Sequence, residues 1–277
     1  MQLINLINYL EETVPLSLQE DYDNCGLILG DPDQEINKGL VCLDITEEIL
    51  QEAIDSEINL ILSHHPLIFK GIRKINPQWQ SQRILEIAIR HQIAIYSLHT
   101  NLDKIYGGVS FQFGKRLGLE FMNFLSPYFK LLPPNLVENY VEGDLDKNYQ
   151  GLGIIGYLPK ALSWTEFLNH LRSKIPLNMV RHTRIQDKLI QKIALCGGSG
   201  SEFLEKALEE KCDVYISGDF KYHQFFLEKP GTILVDIGHF ETEQFSPELI
   251  RNIISKKFPT FALSLTKLNS NPIYYSY

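Results

Sequence analysis

"GLVCLDITEEILQEAIDSEINLILSHH", residues 39–65, and "IALCGGSGSEFLEKALEEKCDVYISGD", residues 193–219, align without a gap at an offset of 154. Cys42 falls on Cys196, Ala53 on Ala207 and Ser63 on Ser217. In each, an apolar run of strand length passes into an amphipathic helical pattern and then into a second apolar run. A duplicated strand–helix–strand unit is the natural reading. Further strand patterns at 93–98, 151–158 and 232–238, with helical patterns at 81–91 and 164–174, continue the alternation, so the fold class is α/β. The loop-rich stretch 125–153 is where one lobe is expected to hand over to another.

With 277 residues and 44% hydrophobic content, the chain can bury one large core or two modest ones. The net charge of −8 is spread along the sequence, and Lys and Arg form no stripe with interleaved aromatics, so nucleic acid is not the favoured partner. Four cysteines lie far apart with no CxxC pair, which reads as buried thiols in a reducing compartment. "MQLINLINYLEETVPL" has the spacing of an amphipathic helix and lacks the basic start of a signal peptide. No run approaches the ~18 apolar residues of a membrane span. The expectation is a cytoplasmic protein without a membrane anchor.

Strand ends then carry the chemistry. After the repeat, each copy continues through another strand into a His followed four residues later by a carboxylate: His99 with Asp103, and His239 with Glu243. One such pair arises easily by chance, but two at equivalent points of a duplication do not. Ligands of open α/β sheets gather beyond the carboxyl ends of strands, and His64 and His65 also leave a strand there. Adjacent residues in extended structure point to opposite faces. Pro66 constrains His65, and a backbone turn at that point lets the two rings approach two neighbouring ions. A surface turn bearing two solvated imidazoles is the alternative.

The blocks "EDYDNCGLILGD", "SHHPLIFKGIRKI", "HTNLDKIYGGVS", "GLGIIGYL", "ALCGGSGSEFL", "DVYISGDFKYH" and "DIGHFETE" occur in this order. Together they resemble the signature blocks of the GTP cyclohydrolase 1 type 2 homologs, also called Nif3-like dinuclear-metal proteins, over nearly the whole chain. The resemblance implies two similar, intertwined α/β lobes with mixed sheets, six subunits in a toroidal homohexamer, and two divalent metal ions per subunit. The lobes are expected to be 1–125 with 236–277, carrying the metal ligands, and 126–235. Carried over by position, the ligands are His64, His65, Asp103, His239 and Glu243, with Glu243 bridging. His99 matches a residue beside the site that faces substrate or supports a ligand, and it is the catalytic candidate. Tyr22 and Ser110 depart from the family pattern, where Trp and Asn are usual.

Imidazoles with carboxylates suit Zn, Mn, Fe or Ni better than Ca or Mg, which favour all-oxygen shells. The resemblance therefore implies a metal-dependent hydrolase acting on a nucleotide or related heterocycle, with His99 moving a proton and Lys70 or Arg73 meeting a triphosphate. Both cations read equally well as solvated surface charges. A non-catalytic metal-binding or regulatory assembly is the alternative function. The CGGSGS loop (196–201) is either an anion cradle or a packing turn. Asp219 and His223 read either as cleft residues or as a helix cap and an exposed His, and Asp23 and Asn24 either orient ligands or cap a turn.

Overall fold

The computed structural model describes residues 1–128, 145–227 and 231–276. The first four strands in chain order are β1 (Gly26–Leu29), β2 (Lys38–Cys42), β3 (Leu60–Ser63) and β4 (Ala94–Ser97). They are followed by β5 (Ile105–Tyr106), β6 (Glu120–Pro127), β7 (Asp146–Leu162) and β8 (Arg181–His182). The last four are β9 (Ile190–Ser199), β10 (Val214–Gly218), β11 (Ile233–Asp236) and β12 (Ala262–Leu265). Two sheets result, each with both parallel and antiparallel pairs.

The chain divides into two compact units, Met1–Lys104 with Ser246–Pro272, and Ile105–Phe245 with Ile273–Tyr277. The breaks fall earlier and later than residues 125 and 236. Ile105–Tyr106 pairs with β7, and β6 pairs with β7, so hydrogen bonding commits this part of the chain to the second sheet. One consequence bears on the site: His239 and Glu243 belong to the second unit, not to the one that holds His64 and His65.

In the first unit the strand order is β1-β4-β3-β2-β12, with β1 antiparallel to β4 and the other neighbours parallel. All four residues of β3 are buried, as expected of a central parallel strand covered on both faces. The helix Glu47–Asp55 starts where the Thr46 hydroxyl accepts the Ile49 N–H at 3.2 Å, a side-chain cap. Its spacing sends Ile49, Leu50 and Ala53 inward onto Leu40, Ile61, Ile84 and Ile95. Each of the Leu and Ile side chains contributes roughly 1.5–3 kcal/mol through burial.

In the second unit the order is β5-β7-β9-β10-β11-β8, with β6 paired to β7. Its centre repeats the first unit's plan. Three parallel strands, β9, β10 and β11, stand where β2, β3 and β4 stand, and an antiparallel strand closes each set, β8 on β11 and β1 on β4. The two central strand sets bear out the duplication read from Cys42/Cys196 and Ser63/Ser217. Of the loop-rich stretch 125–153, residues 129–144 lie outside the described residues. The flanks form a hairpin, with Ser126 opposite Leu152 and Phe124 opposite Ile154.

Candidate metal centre

In the first unit, three histidines sit just beyond strand ends. β3 runs directly into His64 and His65, whose backbone N–H groups bond to the carbonyls of Cys42 and Leu43 at 3.2 and 2.9 Å. The backbone thus stays pinned to the end of β2 while the Ser63 hydroxyl takes the His65 carbonyl at 2.8 Å. This turn brings the two rings onto the same side, with centroids 5.0 Å apart. His99 lies at the cap of the short helix Thr100–Asp103 after β4, and its ring is 5.3 Å from each of the other two. One nitrogen from each of His64, His65 and His99 falls within 4.8 Å of the others, a group that could hold a metal ion. Asp103 extends the group: its Oδ1 is 3.8 Å from His64 Nε2.

Each ring is oriented through Nδ1. His64 Nδ1 lies 2.7 Å from the Leu98 carbonyl, which can only accept, so Nδ1 carries the proton and Nε2 keeps the lone pair. His65 Nδ1 lies 2.6 Å from Asp44 Oδ1, and His99 Nδ1 2.8 Å from Asp23 Oδ1. Oxygen acceptors behind Nδ1, with Nε2 turned to the centre, are the support that metal-ligating histidines characteristically have. Asp44 is itself steadied by the Ser270 hydroxyl at 2.8 Å. Burial alone would raise the pKa of Asp23. Hydrogen bonds from His99, Thr100 and the Asn24 N–H, with the His99 charge, hold it well below the usual carboxylate range. Asp23 therefore supports a ring rather than merely capping a turn.

The second unit supplies a similar arrangement. β11 ends at Asp236, the chain turns through Gly238 at φ +99°, and the helix His239–Glu243 begins. His239 Nδ1 is 2.7 Å from Asp219 Oδ2, and Nε2 is 3.0 Å from Glu243 Oε2. Burial would lower the His239 pKa, but the hydrogen bonds to Asp219 and Glu243, and their charges, raise it to about 11. A cation held by these two side chains would compete with a proton for the same nitrogen and oxygen.

Glu243 is 3% exposed and rests on the CGGSGS loop. A Cβ on Gly198 would overlap Glu243 Oε1 and stand 3.1 Å from its Cδ, and Gly198 already has φ +63°. Only glycine fits there without strain. The loop's glycine N–H groups are occupied by Ser110 Oγ for Gly197, Thr242 Oγ1 for Gly198 and Ser217 Oγ for Gly200. The loop is a packing turn under Glu243, not an anion cradle, and Ser110 is one of its supports. Asp219 orients His239, whereas His223 is exposed and meets Tyr222 edge-on. The residue that the sequence reading passed over is Asp44. Its signal was position: it follows β2 at the strand's carboxyl end and aligns with Gly198 in the repeat.

Imidazole nitrogens with carboxylate oxygens match the donor preferences of Zn, Mn, Fe and Ni. Fold and site together define an internally duplicated α/β protein whose strand ends present histidine and carboxylate groups able to hold a metal ion. Residues 1–272 match the family model Duf34/NIF3 (NGG1p interacting factor 3), and the chain belongs to that family. It is 32% identical over 246 residues to the GTP cyclohydrolase 1 type 2 homolog of Campylobacter jejuni, covering 88% of each chain. Identity to the protein of the same name from Clostridium perfringens is also 32%, over 244 residues, with 88% of this chain and 87% of the relative covered. The Bacillus cereus protein related to NIF3 superposes with a TM-score of 0.88 at 23% identity, covering 100% of this chain and 99% of that one. That likeness bears out the fold. Among the described residues, no helix is long and apolar enough to cross a membrane.

Proposed function

We propose that the protein is a dinuclear divalent-metal hydrolase acting on a nucleotide or related heterocycle. The observation that supports this most is the orientation of His64, His65 and His239, each with Nδ1 against an oxygen acceptor. In this reading His64, His65, Asp103, His239 and Glu243 would hold the ions, as the family resemblance implies. When bound, such ions supply Lewis acidity and water activation at neutral pH. His99 stays off the ions. Its Nδ1 is held by Asp23, so Nε2 is the atom that takes and returns a proton during turnover.

The name of the Campylobacter and Clostridium relatives points to GTP ring opening as the reaction class. On that reading the scissile bond lies in the imidazole ring of the purine. The reading further includes a toroidal homohexamer and a cytoplasmic location, for which the four buried, unbridged cysteines argue. Incubating metal-reconstituted protein with nucleotides and pterin precursors, followed by mass spectrometry, tests the activity. A hydrolysed product that disappears in the His99→Ala variant supports it. Two bound ions with no product from any candidate would favour the non-catalytic metal-binding assembly instead.

A further inference from the structure

Residues Ile58 to Leu85 contain no Asp or Glu, in a chain whose net charge is −8, yet they carry Lys70, Arg73, Lys74 and Arg83. Arg83 is committed: its guanidinium pairs with Glu47 at 2.6 Å and bonds to the Pro77 and Gln78 carbonyls at 2.7 and 3.0 Å. Lys70, Arg73 and Lys74 are exposed and make no ion pair among the described residues. They line a cavity of about 690 Å³ together with Ile68, Phe69 and Trp79. That volume is of small-molecule size, within the ~300–1,000 Å³ usual for ligand pockets.

The cavity adjoins the histidine cluster through Phe69, whose ring lies 6.1 Å from His99 in an edge-on contact and 6.0 Å from Tyr22. Its near wall is fixed by Asn24, whose Nδ2 donates to the Ile68 carbonyl at 2.7 Å, and Asn24 adjoins the Asp23 that holds His99. Its far rim is fixed by the Arg83 bonds to Pro77 and Gln78. Three unneutralised cations on a braced rim match the charge of a polyphosphate, and the exposed Phe69 and Trp79 rings offer faces to a planar base.

We propose that this groove binds the polyphosphate tail of a nucleotide whose base lies toward Phe69 and His99, an inference that rests on the proposed hydrolase reading and names the part of the substrate recognised. Lys70, Arg73 and Lys74 contact the phosphates. Recognition is electrostatic and therefore weakens as salt rises.

The test uses the full chain without added metal, so it is independent of turnover. Calorimetric titration with inorganic triphosphate, GTP and guanosine is compared between the wild type and a Lys70→Gln/Arg73→Gln/Lys74→Gln variant. Expected is binding of triphosphate and GTP by the wild type, at least tenfold weaker in the triple variant. Guanosine is expected to bind more weakly than GTP. A Lys256→Gln/Lys257→Gln control, on an exposed helix end, should bind as the wild type does. Thermal unfolding of the triple variant should match the wild type, since all three side chains are exposed. No triphosphate binding, equal loss in the control, or tighter binding of a single-stranded oligonucleotide would each overturn the proposal. Absence of triphosphate binding by the wild type, or unchanged binding in the triple variant, together with hydrolysis of a non-phosphorylated heterocycle would refute the subsite and leave the hydrolase reading standing.

Discussion

Replacing Gly198 by Ala should injure the metal site more than the fold. Two effects add. The residue has φ +63°, where an L side chain costs roughly 1–2 kcal/mol. The new Cβ also overlaps Glu243 Oε1, with Cδ at 3.1 Å and His239 Cε1 at 3.3 Å, so the carboxylate must shift by about 1 Å. Gly118 provides the comparison: it has φ +72° with nothing within 4 Å of an added Cβ, so Gly118→Ala carries the backbone strain alone. By thermal unfolding, Gly118→Ala should lose about 1–2 kcal/mol, or roughly 2–8 °C, and Gly198→Ala somewhat more. Metal competition against a chromophoric chelator should separate them. Gly118→Ala should bind as the wild type, and Gly198→Ala should lose about 10- to 100-fold in affinity, the scale of losing a ligand's support. If Gly198→Ala bound metal with wild-type affinity, the reasoning that the loop sets Glu243 in place as a ligand would be refuted.

Other outcomes follow from the same geometry. Bound metal per chain should be lowest in Glu243→Gln, intermediate in Asp103→Asn and near wild type in His99→Ala, as measured by elemental analysis after desalting; equal losses in His99→Ala and Glu243→Gln would make His99 a ligand. Asp219→Asn removes the carboxylate behind His239 Nδ1 and should weaken metal binding by about 10- to 100-fold in the same chelator competition. Asp213 receives Lys188 Nζ at 2.9 Å and the N–H groups of Gln191 and Lys192 at 3.0 and 2.8 Å. Burial acts to raise its pKa, but these bonds prevail and lower it, so the stabilisation is present at neutral pH and is lost as pH falls through the folded-state pKa. Asp213→Asn should therefore cost about 1–3 kcal/mol at pH 7, with the gap to wild type closing in acid in denaturant titrations.

The central strands were legible because a buried parallel strand needs a continuous apolar run, which "LILS" and "VYISG" display. The helices Glu47–Asp55 and Trp164–Lys174 were legible from their 3.6-residue periodicity. β6 and the start of β7 were hidden because their pairing is irregular, with register shifts at Glu120/Asn123, and because Asp146–Gln150 is polar. At the site, His64, His65, His99 and His239 could be found because strand ends and the repeat mark them. Their acceptors could not be assigned, because Asp44 reaches His65 across 21 residues and Asp23 reaches His99 across 76. The first pair is made across the parallel neighbours β2 and β3 and the second across the antiparallel neighbours β1 and β4, and short-range spacing carries no trace of either.

The central claim of the proposed function is that His64, His65, Asp103, His239 and Glu243 hold a pair of ions. Its most direct measurement is the metal stoichiometry of the full chain by native mass spectrometry, after gentle purification and again after reconstitution with Zn, Mn, Fe or Ni. The account predicts about two ions per chain, with fewer in the His65→Ala variant. A stoichiometry near one that reconstitution does not raise, or full occupancy in His65→Ala, would contradict it.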